Sequence, residues 1–161
     1  TEEGKGSKFK FTIPYEKNTG KGNAEETRNK LSEKIEGLSD LKIIIAEDDK
    51  TSDALLSLYL RNYSNEIIHT STGRETVELC RNNPDTEIIF MDIKMPDLNG
   101  YEAAREIRKF NKDIIIIAQT AYGLLGDEEK ALQSGCDYYI SKPINRAKLN
   151  SILEEIIKLK K

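Results

Sequence analysis

Ile114-Ile115-Ile116-Ile117-Ala118 leaves this chain few folds to choose from. Four consecutive β-branched residues favour a strand, and a strand with no polar face has to be covered on both sides. Comparable apolar runs occur at Leu41–Ala46 and at Glu87–Met91, with further strands expected at Glu66–Ser71 and Asp137–Ser141. The segments between them carry helical patterns. Thr51-Ser52-Asp53 offers N-cap chemistry ahead of Leu55, Leu56, Tyr59 and Leu60, and Gly73–Asn83 is stopped by Pro84. Asn99 caps a third helix with Tyr101, Ala104 and Ile107 on one face, and Leu124–Ser134 is closed by Gly135. Arg146–Leu159 presents Leu149, Ile152, Leu153, Ile156 and Ile157 as an apolar face. Strands and helices in strict alternation imply an α/β fold, a doubly wound five-stranded parallel sheet with five flanking helices. Right-handed crossovers put helices on both faces. The order 2-1-3-4-5 is a common solution, and it sets the switch point between strands 1 and 3.

Residues 1–40 follow a different pattern and form an N-terminal extension. Phe9, Phe11 and Ile13 alternate with Lys8, Lys10 and Thr12, the period of a half-buried strand that Pro14 ends. Residues 15–40 read as a partly helical linker, polar and glycine-containing at first, then charged with only Leu31, Ile35 and Leu38 as an apolar stripe. The formal net charge of -3 gives no basis for general binding to nucleic acid or an anionic membrane. No apolar run is long enough for a membrane-spanning helix. Cys80 and Cys136 form no C-x-x-C pair and read as buried, reduced thiols.

The strand ends carry the chemistry. Glu47 and Asp48 close strand 1, and Asp92 closes strand 3. The topology makes these strands neighbours, so three carboxylates converge. Like charges in one place repel, and a divalent cation relieves them. Ligands that are all oxygen, without His or Cys, favour Mg2+ or Mn2+ over Zn2+. Strand 4 ends in Gln119-Thr120-Ala121 and strand 5 in Ser141-Lys142-Pro143, adding a hydroxyl and an ammonium. A cation site, a hydroxyl and an ammonium around one carboxylate suit a phosphoryl group, with Asp92 as nucleophile.

These residues, in this order, resemble a response-regulator receiver domain of two-component signalling. The resemblance covers residues 41–161, on Glu47-Asp48, Asp92 within Met-Asp-Ile-Lys-Met-Pro-x-x-x-Gly, Thr120-Ala121 and Lys142-Pro143. It implies a flavodoxin-like fold in which Asp92 is the phosphoacceptor. Asp48, Asp92 and the backbone carbonyl of Lys94 would ligate Mg2+, with Mn2+ as a substitute, and Glu47 would act through water. Thr120, Ala121 and Lys142 would bind the phosphoryl group. Tyr139 matches the family's aromatic switch and would turn inward with Thr120, changing the face made by helix 4, strand 5 and helix 5. Lys94 and Tyr122 match positions that tune phosphate lifetime. Glu47 stands where many members have Asp, Asn99 replaces a frequent Asp, and Ile144 follows Lys-Pro where Phe is common.

Gly4–Pro14 resembles the last strand of a histidine-kinase ATP-binding domain, so residues 1–14 would be its remnant. The parent would then be a hybrid sensor histidine kinase, membrane-bound or not, with this portion cytoplasmic. The expected partners are a phosphohistidine donor, in the same parent chain or another, and a histidine phosphotransfer protein. No contact with nucleic acid or membrane is expected. The sole histidine, His69, reads as a strand residue, so the chain itself should not autophosphorylate with ATP. Its enzymology would be limited to its own phosphorylation and dephosphorylation. Two other classes fit part of the pattern: a degenerate receiver that serves only as an interaction domain, and a Mg2+-dependent phosphatase. The phosphatase typically needs a second acid two residues after the nucleophile, where Lys94 stands.

Overall fold

The computed structural model describes residues 41–64, 66–121 and 126–159. The expected N-terminal strand (1–14), the linker (15–40) and Tyr122 lie outside the described residues. The elements follow the expected alternation: β1 Lys42–Ala46, α1 Lys50–Leu60, β2 Glu66–Thr70, α2 Gly73–Asn82, β3 Ile88–Asp92, α3 Gly100–Arg108, β4 Ile115–Thr120, α4 Asp127–Gln133, β5 Tyr138–Ser141 and α5 Arg146–Leu159. The strands pair in parallel in the order β2-β1-β3-β4-β5, as expected.

Side chains alternate across the sheet, so each central strand feeds two apolar layers. On one side Ile44, Ile89, Met91, Ile116 and Ala118 pack with Val77 and Cys80 of α2 and Ala103, Ala104 and Ile107 of α3. On the other, Ile43, Ile45, Ile88, Phe90, Ile117 and Ile140 pack with Leu56 and Leu60 of α1 and Leu149, Leu153 and Ile156 of α5. Ile116 and Ile117 are both fully buried, one in each layer. The isoleucine run is therefore covered on both faces, as its composition demands. Among the described residues, no helix is long and apolar enough to cross a membrane.

Two local expectations are corrected. The α1 cap is Asp49, whose carboxylate accepts from the Ser52 N–H at 2.7 Å, and not the Thr51-Ser52-Asp53 stretch. The acidic cluster after β1 runs straight into the helix, so its last member is the first able to cap. Leu55 does not join the apolar face of α1; it is 40% exposed, because Leu56 and Leu60 already fill the contact with the sheet. The β4 ladder continues through Gln119 to Thr120, which pairs with Ser141. Helix α4 is described from Asp127, with residues 122–125 outside the described set.

Two helices begin with glycine because their starts abut backbone. A Cβ on Gly73 would overlap the Leu98 carbonyl, and one on Gly100 would overlap the Asp92 carbonyl and come within 2.9 Å of Ile93 Cα. Both positions thus clamp the loop that follows Asp92. Asn99 caps α3 with a reciprocal pair: its side chain accepts from the Glu102 N–H at 3.0 Å, and Glu102 accepts from the Asn99 N–H at 3.2 Å. At the opposite end of the sheet, Arg108 donates to the Gly135 carbonyl at 2.7 Å, the Ile114 carbonyl at 2.6 Å and the Asp137 carboxylate at 2.5 Å. His69 lies in β2 as expected, with Nδ1 2.7 Å from an Asp53 oxygen.

Replacing Gly100 by Ala is expected to cost about 1–3 kcal/mol, since the obstructing atoms are backbone and cannot rotate away. Urea unfolding of Gly100→Ala checks this, and a variant as stable as the parent would contradict it. Cys80 and Cys136 are free and buried, and burial pushes both thiols up to about 12 from 9.0. Neither should react with Ellman's reagent near neutral pH until the chain is unfolded. A raised thiol pKa stabilises the fold while the thiol keeps its proton. That contribution is present below 9.0 and is lost as pH rises towards about 12.

Candidate functional site

Parallel strands direct all their carboxyl ends to one edge of the sheet, and the site is built there. Glu47 follows β1 directly, Asp92 is the last residue of β3, Thr120 the last of β4, and Lys142 comes immediately after β5. Because β1 and β3 are neighbours, the carboxylate oxygens of Glu47, Asp48 and Asp92 come within 4.8 Å of one another. Glu47 and Asp92 are buried, while Asp48 is exposed.

Lys142 holds the two buried acids together. Its ammonium donates to Glu47 Oε2 at 2.5 Å and to Asp92 Oδ2 at 2.9 Å. The second oxygen of each acid meets backbone: Asp92 Oδ1 accepts from the Lys94 N–H at 3.2 Å, and Glu47 Oε1 from the Asp49 N–H at 3.3 Å. Burial pushes the Glu47 carboxyl up from its ordinary range, and the Asp92 charge adds to this against the pull of Lys142. Burial disfavours the Lys142 charge, but the bonds to Glu47 and Asp92 outweigh it and its pKa is raised. Lys142 thus brings its ammonium directly to both buried acids.

The surrounding loops are tied to the strand ends. The Ile93 N–H donates to the Gln119 carbonyl at 3.0 Å, and the Gly100 N–H to the Ile93 carbonyl at 3.1 Å, closing the loop over Lys94–Asn99. The Lys142 N–H donates to the Thr120 carbonyl at 2.7 Å, and the Lys142–Pro143 peptide is cis. Thr120 is buried at the rim and Ala121 is exposed just beyond it. Tyr139 is half-buried against the α2/α3 layer, with the Lys148 ammonium 5.4 Å from its ring centre. Of the residues expected at the site, Glu47, Asp48, Asp92, Lys94 and Lys142 are brought together by proximity or direct bonds. Thr120 joins them through the Lys142 backbone.

The acids fit a hard divalent cation. All three are oxygen donors from neighbouring turns, no His or Cys joins the cluster, and one lysine cannot balance three carboxylates.

The family model for the response regulator receiver domain matches residues 43–154, so the chain belongs to the receiver-domain family of two-component signalling. A hybrid signal transduction histidine kinase, protein I of Dictyostelium discoideum, is 33% identical over 120 residues, covering 70% of this chain and 7% of that protein. The polar-differentiation response regulator DivK of Brucella ovis is 36% identical over 106 residues, covering 64% of this chain and 85% of DivK. Among solved structures, the receiver domain of the sensor histidine kinase PA1611 of Pseudomonas aeruginosa, with a magnesium ion coordinated in its active site cleft, is 32% identical. It matches with a TM-score of 0.66 over 74% of this chain and 99% of that one. A co-crystal structure of the Saccharomyces cerevisiae phosphotransfer protein Ypd1 with the receiver domain of Ssk1 matches at 32% identity. Its TM-score is 0.68, covering 73% of this chain and 89% of that one.

Removing Lys142 leaves two buried acids with no cation between them. Lys142→Met is expected to cost about 3–5 kcal/mol in metal-free protein. Urea unfolding in the presence of a chelator measures it; a loss below 1 kcal/mol, on the order of an exposed pair, would contradict the bridge.

Proposed function

We propose that this receiver takes a phosphoryl group from phosphohistidine onto Asp92 and later releases it to water. The observation that supports this most directly is the convergence of Glu47, Asp48 and Asp92 within 4.8 Å beside an ammonium already bonded to Asp92. In the transfer, an Asp92 oxygen forms a bond to phosphorus as the P–N bond of the donor breaks. The bonding pair returns to the imidazole nitrogen, which takes up a proton. There is no covalent work for other side chains, so rate depends on positioning and charge.

Asp48, Asp92 and the Lys94 carbonyl would hold Mg2+, or Mn2+ in its place, with Glu47 acting through water. A cation held there would supply positive charge against the phosphoryl oxygens. Thr120 donates its hydroxyl, Ala121 its N–H and Lys142 its ammonium to those oxygens, the last by giving up part of its hold on Glu47 and Asp92. As Thr120 moves in, Tyr139 turns towards the site and remodels the α4-β5-α5 face. Lys94 and Tyr122 set how long the acyl phosphate lasts. The likeness to PA1611 and to the Dictyostelium kinase supports a hybrid sensor kinase as parent, with the receiver on the cytoplasmic side. The Ypd1 co-crystal match supports a histidine phosphotransfer protein as a further partner.

Incubation with acetyl phosphate and Mg2+ should add one phosphoryl group by intact mass. Chelation should prevent it and Asp92→Asn should abolish it. A gain that survives Asp92→Asn, or no gain in the parent chain, would overturn the assignment. The second outcome would leave an interaction domain that no longer takes phosphate.

A further inference from the structure

Gln119 is the one buried side chain among the described residues whose polar atoms have no hydrogen-bond partner. It is fully buried, and both its Oε1 and its Nε2 are unpaired. An amide can make about four hydrogen bonds, so burying one with none made is unfavourable unless another state uses it.

Its place in the sheet indicates which state that is. Gln119 lies opposite Asp92 of β3 on one side and Ile140 of β5 on the other. Side chains alternate along each strand. Gln119 is therefore on the same side of the sheet as Ile117, in the layer that also holds Ile45, Phe90 and Ile140. By the same alternation Asp92 follows Phe90 on that side, and Lys142 bonds it to Glu47. Gln119 sits in the row of the acids, at the upper margin of an apolar layer, directly beside Asp92. Lys142 follows Ser141, the partner of Thr120, and its ammonium is bonded to Asp92, the residue paired with Gln119. In the resting state Lys142 spends two of its three N–H groups on Glu47 and Asp92.

We propose that Gln119 is a positioning residue for Lys142 in the phosphorylated state. When Asp92 becomes an acyl phosphate and the carboxylates turn to the cation, Lys142 loses acceptors that it held. Gln119 Oε1 then accepts one of its N–H groups and keeps the ammonium directed at the phosphoryl oxygens. The resting state carries an unpaired amide, and phosphorylation pairs it. This rests on Asp92 as phosphoacceptor.

Gln119→Leu, Lys142→Met and the double variant test the proposal, with Gln119→Met as a second replacement of similar length. Phosphorylation of the full chain by acetyl phosphate is followed by mass, and thermal unfolding is recorded without metal or phosphodonor. Gln119→Leu should slow phosphorylation about tenfold, equivalent to about 1.4 kcal/mol. It should leave the unfolding midpoint unchanged or higher, since it deletes an unpaired buried group. In the Lys142→Met background the same substitution should have no further effect on rate. A merely structural glutamine would lower rate and midpoint together. An unaltered rate in both Gln119 variants, or an equal slowing with and without Lys142, overturns the proposal while the phosphoacceptor assignment stands. If the parent chain acquires no phosphoryl group on Asp92, that assignment fails and this proposal fails with it.

Discussion

Two carboxylates, Glu47 and Asp92, lie buried side by side because one ammonium reaches both. Without Lys142, burial and mutual repulsion would act in the same direction on both acids. The lysine can reach them only from the end of β5, and the acids can meet only at the junction of β1 and β3. The ion-paired trio therefore depends on the strand order, and its bonds tie three separate strand ends together.

The apolar layers serve that arrangement. Fully buried isoleucines on both sides of β1, β3 and β4 hold the strand ends in fixed register. The polar residues begin where the apolar run stops: Ile45 gives way to Glu47, Phe90 to Asp92, Ile117 to Gln119 and Ile140 to Lys142. On that face each strand thus changes from hydrophobic to polar at its carboxyl end. The acids occupy a site whose lower wall is apolar and whose upper side, at Asp48, is open to solvent.

Much of this was legible in the sequence because it is carried by periodicity. The isoleucine runs, the Asn99 cap and the apolar face of Arg146–Leu159 each follow a local rule, and the alternation of strands with helices implied a parallel sheet covered on both faces. The acids and Lys142 were legible because they end strands. Other features were not, because they depend on contacts between distant segments. Nothing local distinguishes Asp49 from Thr51 or Ser52 as the cap; the length of the turn after β1 decides it. The direct bond between Lys142 and Glu47 spans 95 positions. Gln119 did carry a signal, a lone amide extending an apolar run, but only burial without a partner gives it meaning.

Arg108 ties the carbonyls of Ile114 and Gly135 and the carboxylate of Asp137 into one knot. Gly135, at φ 90°, is where the chain leaves α4. The exit of α4 is therefore anchored to the base of β4, while the strand's other end is Thr120, at the rim of the acids. Arg108 thus fastens the C-terminal end of α4 to the edge of the sheet opposite the carboxylates.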